Sequence, residues 1–384
     1  MRVCRTRGNL AFLDKFVAHF IRFSFLISLL LASNHPSQPE PILMNITTLI
    51  VGIVVILALF FDFTNGFNDS ANQVATIISS RAMSFRVALI TAAVANFVGA
   101  YFLGTAVAET IGKEIVNPLL LTTNSSNIII IVAALIGAIS WNLITWYLGI
   151  PSSSSHSLIG GIIGAFFFGL GANPINWNKV LYIILIMIVS PCVGLIITYF
   201  FTRLTLFFSK WASPKVNEVF KKLQIVSSIT QSLAHGTNDA QKSMGVIVFT
   251  LILLGLYKPS SQEHIAIPCW VAISCSLAMA SGTAIGGWHI IKTLGTGLYK
   301  IRPIHGFASQ TTSTLIIYFA AFFGYPISTT QVISSSVIGA GSAFRPKMIR
   351  WQVAQDMAIA WLITIPASGL IAGLCFFILS KIFK

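Results

Sequence analysis

Charged residues are scarce in this sequence. Only 9% of its 384 residues are charged and 55% are hydrophobic, whereas about a quarter of the residues in a soluble domain are charged. One helix that crosses a bilayer needs about 20 apolar residues, so the chain has room for about ten crossings or more. The composition therefore predicts an all-α, polytopic membrane protein that is surrounded by the lipid bilayer.

Acidic residues are especially few. The chain has 10 Asp and Glu against 24 Lys and Arg, which gives a net charge of +14. In a soluble protein this excess would indicate a nucleic-acid partner. Here the basic residues lie in short loops between apolar runs, where the positive-inside rule accounts for them. We therefore predict no nucleic-acid partner and a multi-pass location in the inner or plasma membrane.

Sequence signatures of enzymes are missing as well. The five cysteines contain no C-x-x-C pair, so neither a disulfide framework nor a metal site is indicated. The motifs G-x-x-x-x-G-K-[ST], G-x-S-x-G and H-E-x-x-H do not occur in the sequence. We therefore predict that the protein is not an enzyme and holds no cofactor.

The first 43 residues look like an N-terminal extension. Basic residues precede an apolar run at 16–32, and a proline-rich stretch follows at 34–41. The extension fits a signal peptide, an additional membrane span, or sequence upstream of a translation start at Met44. The strong apolar segment directly after Met44 favours the third interpretation.

Two amide- and acid-rich stretches interrupt the apolar sequence. Residues 61–72 read FDFTNGFNDSAN and residues 235–242 read HGTNDAQK, so that Asp239 follows Asp69 after 170 residues. An ionisable group in hydrocarbon is costly unless it is paired or lines a wet site. The recurrence therefore predicts that both copies serve one purpose.

The first of these stretches lies inside a long apolar segment. A straight helix over residues 47–80 would be about 51 Å long, against about 30 Å of hydrocarbon. We therefore expect the helix to tilt steeply or to break, and the stretch at 62–72, which contains Gly66, is the natural place for a break.

A second pair of motifs joins a proline to several hydroxyl residues. Residues 149–157 read GIPSSSSHS, and residues 324–331 read GYPISTTQ, 175 residues later. Proline interrupts a helix, so each motif predicts a discontinuous or re-entrant element. Two motif pairs at nearly equal offsets indicate a duplication. We predict repeats at 44–203 and 225–384, joined by a basic cytoplasmic linker at 204–224.

Loop charge orients the two repeats. The basic linker and the basic loops at 81–86, 292–302 and 345–350 are placed in the cytoplasm, and the loops at 108–126 and 255–265 are placed outside. Each repeat then has about five crossing segments, and an odd number inverts one repeat relative to the other. Inverted-topology repeats with broken helices are the architecture of secondary transporters.

Oxygen atoms of the acid-rich stretches are candidate ligands of a coupling cation, either Na⁺ or a proton. The alternative is a hydrogen-bond network that joins helices. The candidates are Asn65, Asn68, Asp69, Asn72, Asn238 and Asp239, with Na⁺ itself placed at Asn68, Asp69, Asn238 and Asp239. Asp62, opposite Ser232 in the second copy, is either structural or at the mouth of the cavity. Lys242 and Arg81 would either attract substrate or anchor the chain at the membrane interface.

The hydroxyl residues after each proline are candidate anion ligands. They precede apolar helical stretches, and a helix N-terminus offers free N–H groups and a positive dipole end. The candidates are Ser153, Ser154, Ser155, Ser328, Thr329 and Thr330. The alternative is that these residues only cap the helices, although a cap needs one hydroxyl per end.

The paired motifs resemble a known family. NGFNDSAN at 65–72, its second copy AHGTNDAQKSMG at 234–245, and GTAIGG at 282–287 look like the signature of the inorganic phosphate transporter (PiT) family. The resemblance covers about 44–384; the N-terminal extension is not part of it, and the linker is shorter than the central loop of some members.

This resemblance implies Na⁺- or H⁺-driven symport of inorganic phosphate into the cell by alternating access, and assembly as a homodimer. It also implies cation coordination at Asn68, Asp69, Asn238 and Asp239, and phosphate contact at 153–155 and 328–330. Two alternatives stay open: a symporter of another tetrahedral oxyanion such as sulfate, and an anion channel.

Overall fold

A computed structural model gives the fold, and it describes residues 46–111, 115–116, 125–213, 215–257 and 266–382. These residues form α-helices, a short π-helix at Thr293–Gly297, a 3₁₀-helix at Pro346–Met348 and no β-strand. The helices are α1 (Ile46–Ser79), α2 (Phe85–Phe102), α3 (Ala106–Glu109), α4 (Ser125–Leu148), α5 (Ser154–Leu170), α6 (Trp177–Phe208), α7 (Val216–Leu253), α8 (Cys269–Ile285), α9 (Trp288–Lys292), α10 (Pro303–Phe322), α11 (Thr329–Phe344) and α12 (Trp351–Ile382).

The order of long and short helices repeats after six elements. The helices have 34, 18, 4, 24, 17 and 32 residues in α1–α6, and 38, 17, 5, 20, 16 and 32 residues in α7–α12. Both α6 and α12 have 32 residues and carry one internal proline, Pro191 and Pro366. The duplicated motifs therefore occupy corresponding places in a duplicated order of helices.

Five of the described helices are long and apolar enough to cross a membrane. They are Val51–Ser79, Phe85–Phe102, Asn127–Leu148, Trp177–Phe208 and Trp351–Ile382. Two further helices, Ser154–Leu170 and Cys269–Ile285, are apolar but shorter. This content of apolar helices agrees with the predicted all-α membrane fold.

The predicted domain limits meet the structure only in part. The N-terminal extension at 1–43 lies outside the described residues. The predicted linker at 204–224 is mostly helical, because α6 reaches Phe208 and α7 begins at Val216. The chain forms two units, residues 1–57 and 58–384, and all site residues named below belong to the second.

The predicted break at 62–72 is wrong, because α1 continues through it as one helix. Gly66 packs against another helix instead of ending its own. A Cβ at Gly66 would collide with the backbone carbonyl of Met279 in α8. The counterpart Gly236, in the middle of α7, lies equally close to the carbonyl of Asn96 in α2. A helix longer than the hydrocarbon tilts or extends beyond it without a break.

The discontinuities predicted at the two proline motifs are confirmed. The chain leaves helix α4 at Gly149 and helix α10 at Gly324, with φ of 70° and 72°, a conformation that glycine adopts without strain. It then runs without helical structure to Ser153 and to Ser328 before α5 and α11 begin. At 17 and 16 residues, these helices are only about 25 Å long.

The two half-length helices are held by the long helices of the opposite half. Helix α5 packs on α4 and α12, and α11 packs on α10 and α6. Close approach depends on small residues: Gly164 of α5 lies against Gly369 of α12, and Gly339 of α11 lies against Leu195 of α6. Because each half-length helix packs on a long helix of the other half, the N-termini of α5 and α11 are held in fixed positions relative to each other.

Candidate functional site

The first residue before each half-length helix is a cap. Ser153 Oγ accepts a hydrogen bond from the His156 N–H at 3.2 Å, and Ser328 Oγ accepts one from the Gln331 N–H at 3.3 Å. Both serines have extended backbones, as N-cap residues do. The structure thus shows capping by Ser153 and Ser328; their contact with an anion stays a prediction.

Three of the four hydroxyls that follow the caps face the buried aspartates, and the fourth, Ser155 Oγ, donates to the Ile327 carbonyl at 3.0 Å. Thr330 Oγ1 donates to Asp69 Oδ1 at 2.8 Å and Ser154 Oγ donates to Asp69 Oδ2 at 3.4 Å. Thr329 Oγ1 donates to Asp239 Oδ2 at 2.6 Å. The N-termini of α5 and α11 therefore meet the middle of α1 and α7, and the two predicted sets of residues form one site.

A histidine joins the two aspartates. His235 Nε2 lies 3.0 Å from Asp239 Oδ2 and 3.4 Å from Asp69 Oδ2. Since both facing atoms are acceptors, Nε2 carries a proton and donates to them. One ligand atom from each of these three buried residues lies within 4.8 Å of the others. The two halves of the chain thus share one polar centre.

Lys242 is part of this centre. Its side chain is fully buried and forms an ion pair with Asp239. The ammonium also donates to Ser155 Oγ at 2.5 Å and to the Ile327 carbonyl at 3.2 Å. The interpretation of Lys242 as an interface anchor is therefore wrong, because the residue lies mid-helix, away from the ends of α7. Arg81, in contrast, is exposed just after α1.

The asparagines near the aspartates leave oxygen atoms available. Asn72 Nδ2 donates to Asp69 Oδ1 at 2.8 Å and to Thr330 Oγ1 at 3.0 Å. Asn68 and Asn238 each donate to a backbone carbonyl, that of Asn142 and that of Tyr325. The Oδ1 atoms of all three have no hydrogen-bond partner within the described parts of the chain.

Asn65 and Asp62, the other two polar residues considered in α1, do not take part in these contacts. Asn65 is buried in α1, and neither of its amide atoms bonds to a described residue. Asp62 is buried as well and accepts a hydrogen bond from Ser243 Oγ at 2.6 Å. The bond joins α1 to α7 and gives Asp62 a structural partner.

Charge decides what such a site can hold. Two carboxylates and one ammonium lie together with almost no access to water. Hard oxygen atoms from carboxylates, amides and hydroxyls suit Na⁺ or a proton on Asp69. The first-turn N–H groups of a helix have no carbonyl partner within the helix and suit an anion. The site can therefore hold a small cation and an anion side by side.

Two central residues, His235 and Lys242, were not among the predicted ligands. In the alignment of the two stretches, His235 stands opposite Asn65 and Lys242 stands opposite Asn72. They lie one helical turn before and after Asp239, which puts all three on one face of α7. An imidazole and an ammonium on the face of an intramembrane carboxylate are the signals that could have identified them.

Comparison with known proteins agrees with this geometry. Residues 65–372, most of the chain, match the phosphate transporter family. The chain belongs to that family. Members are transporters and not enzymes, and the apolar helices make this member a multi-pass membrane protein.

Similar proteins of the phosphate transporter family cover nearly the whole chain. A "Probable low-affinity inorganic phosphate transporter" of Bacillus subtilis (strain 168) is 45% identical over 341 residues, which is 88% of this chain and 100% of the relative. A protein of the same description from Rhizobium meliloti (strain 1021) is 42% identical over 337 residues, 86% of this chain and 96% of the relative.

A solved structure is similar as well. It is described as "The sodium-dependent phosphate transporter", with a TM-score of 0.77 and 26% sequence identity, and the match covers 87% of this chain and 100% of that one. The two proteins therefore have similar folds over most of this chain.

Proposed function

We propose that the protein is a secondary active transporter that carries inorganic phosphate into the cell together with a cation, by alternating access. The family and the names of the relatives support phosphate as the substrate. The sodium dependence in the name of the similar structure supports coupling to a cation, with Na⁺ ahead of the proton.

One observation carries the proposal: the N-termini of α5 and α11 converge on two buried carboxylates. Caps at Ser153 and Ser328 take the third N–H of each helix, and the first two N–H groups remain for a ligand. The adjoining hydroxyls add donors. These are Ser154, Ser155, Thr329 and Thr330. Donors from two helix ends suit the several oxygens of a phosphate ion.

The carboxylates explain why a cation is needed. A unit charge about 4 Å from a like charge is repelled by about 4 kcal/mol at an effective dielectric of about 20. Phosphate would therefore be repelled by Asp69 and Asp239 unless cations neutralise them. Binding of the cation first, followed by the anion, turns this repulsion into coupling between the two ligands.

The unpaired amide oxygens supply the remaining ligands of the cation. We place it against the Asp69 carboxylate, with the Oδ1 atoms of Asn68 and Asn72 within reach. Asn238 and Asp239 would form the corresponding position in the second half, and Asn65 would support the first from one turn away. A proton would instead reside on an aspartate.

The wider organisation follows the same proposal. The repeats at 44–203 and 225–384 would move as two groups of helices around the shared centre, which opens alternately to either side. We also propose that two copies of the chain assemble as a homodimer, as the family resemblance implies.

Purified protein in liposomes tests the function. We expect phosphate uptake when a Na⁺ gradient or a pH gradient is imposed separately, and the effective gradient identifies the ion. Asp69→Asn should lower affinity for the cation by at least about tenfold and abolish gradient-driven uptake. The matched control is Asp356→Asn, which makes the same change at an exposed position of α12.

Two results would contradict the proposal. Phosphate uptake that depends on neither the Na⁺ gradient nor the pH gradient would indicate a channel. Competition by unlabelled sulfate as strong as that by unlabelled phosphate would indicate a general oxyanion carrier.

A further inference from the structure

The two halves of the site correspond at most positions, but His235 takes the position of Asn65 and a lysine takes that of a second amide. Asp69 corresponds to Asp239, and Thr330 corresponds to Ser155 on the opposite half-length helix. The position of Asn72, however, is taken by Lys242. An amide in one half is thus replaced by an ammonium in the other.

The contacts of the lysine follow this correspondence. Lys242 Nζ lies among three oxygens: the Asp239 carboxylate, the Ser155 hydroxyl and the Ile327 carbonyl. A carboxylate, a hydroxyl and a backbone carbonyl are also the ligands that an alkali cation takes in a broken-helix site. The ammonium therefore lies where a monovalent cation would lie.

The first half has a carboxylate and a hydroxyl in the corresponding places, with an amide instead of the ammonium. Thr330 Oγ1 and Asn72 Nδ2 both contact Asp69 Oδ1, at 2.8 Å each. Asn72 adds an Oδ1 atom that is buried and has no partner among the described residues. Asp69 thus lacks the ammonium partner that Asp239 has.

We propose that the Lys242 ammonium is a tethered cation that permanently fills the second of two symmetry-related cation positions. The protein then takes its exchangeable coupling cation at the Asp69 position alone. This inference rests on the proposed function, since it sets how many cations move with each phosphate. The ammonium neutralises Asp239 at all times, and the mobile cation neutralises Asp69 only when it is bound.

Lys242→Asn tests the inference, because it copies the Asn72 side chain into the second half. We expect the variant to gain a second cation position. In liposomes, the Hill slope of phosphate uptake against cation concentration should rise by about one, and the positive charge moved per phosphate should rise with it. The titration is run with Na⁺ at fixed pH and with pH at fixed Na⁺, so that either coupling ion is detected.

Two control variants separate this gain from general damage. Lys242→Met removes the ammonium without adding an amide oxygen, so it should lose uptake, and its unfolding temperature should depend on the cation no more steeply than that of the unmodified protein. Lys222→Asn makes the same substitution at an exposed position of α7 and should behave as the unmodified protein.

A binding measurement extends the test to variants that do not transport. A ligand that binds only the folded state raises the unfolding temperature with its concentration. In detergent and without phosphate, we expect that temperature to depend more steeply on the cation for Lys242→Asn than for the unmodified protein. If the variant does not fold, the reciprocal Asn72→Lys decides: phosphate binding should no longer depend on the cation.

Failure of the proposed function and failure of the tethered-cation proposal give different results. If the unmodified protein shows no gradient-driven uptake, the proposed function fails. If uptake is coupled but Lys242→Asn keeps the slope and charge of the unmodified protein, Lys242 is a structural ion pair and the inference is overturned. Phosphate binding by Asn72→Lys that still depends on the cation would overturn it too.

Discussion

The two halves of the site have nearly the same backbone and different chemistry. In both, a glycine with positive φ ends one helix and a serine caps the next, and hydroxyls then meet an aspartate. The first half faces that aspartate with amides, and the second faces it with an imidazole and an ammonium. The two halves thus share their helix ends and caps, and different side chains on α1 and α7 make the surroundings of the two acids unequal.

Loss of charge should affect the two aspartates differently. Removing one partner of a buried ion pair costs about 3–5 kcal/mol, because the other charge stays buried without compensation. Asp239→Asn leaves Lys242 in that state, so we expect this large loss in the free energy of unfolding. Asp69→Asn leaves no buried lysine unpaired and should be much less destabilising. Thermal unfolding of both purified variants measures the difference.

A second substitution checks this explanation. Asp239→Asn combined with Lys242→Met removes both charges, and replacing a buried pair by neutral groups is often close to neutral for stability. The double variant should therefore regain most of the lost stability while uptake stays absent. A double variant as unstable as Asp239→Asn would show that the unpaired ammonium is not the cause.

His235→Asn makes the second half resemble the first, where Asn65 holds the same position. Asparagine is too short to contact both carboxylates. Hydrogen bonds to charged groups contribute about 1.5–3 kcal/mol each to stability. We therefore expect the free energy of unfolding to fall by that order and phosphate uptake to be slower. A double-mutant cycle with Asp69→Asn measures the coupling between the two side chains. If the losses of stability in the two single variants simply add in the double variant, His235 does not interact with Asp69.

Much of this arrangement could be predicted because it is local or repeated. The two motifs that join a glycine to a proline interrupt the helices, and the broken elements at 149–153 and 324–328 followed from them, whereas Pro191 and Pro366 lie inside α6 and α12. The equal offsets of the aspartates indicated a shared task, and the structure brings Asp69 and Asp239 together through His235.

What was missed depends on contacts that are distant in sequence. Gly66 amid polar residues looks like a helix break, yet its role is set by Met279, which lies more than 200 residues away in the chain. The spacing of Lys242 from Asp239 is local, but its other two partners, Ser155 and the carbonyl of Ile327, are distant in the sequence. Local patterns do not contain these partners.

The two mid-helix glycines allow a comparison with a smaller effect. Gly66→Ala and Gly236→Ala each put a methyl group against a backbone carbonyl of the crossing helix. Overpacking of this kind costs about 1–3 kcal/mol, and we expect similar losses at both positions because both crossings are equally close. Gly297→Ala is the control, because a Cβ there would meet only the side chain of Thr293, at 3.8 Å. If only one of the two variants has a lowered unfolding temperature, the two helix crossings are not equivalent.

The caps should give the smallest effect. Ser153→Ala and Ser328→Ala each remove one side-chain acceptor, which costs about 1 kcal/mol of stability, whereas glycine at a cap costs only a few tenths. Ser153 Oγ also lies 2.7 Å from His156 Nδ1, so its loss should be the larger of the two. If Ser153 contacts phosphate as well as capping α5, Ser153→Gly should weaken phosphate affinity in the uptake assay while stability hardly changes. If phosphate affinity falls only in proportion to stability, Ser153 is a cap, and the anion is held by the residues that follow it.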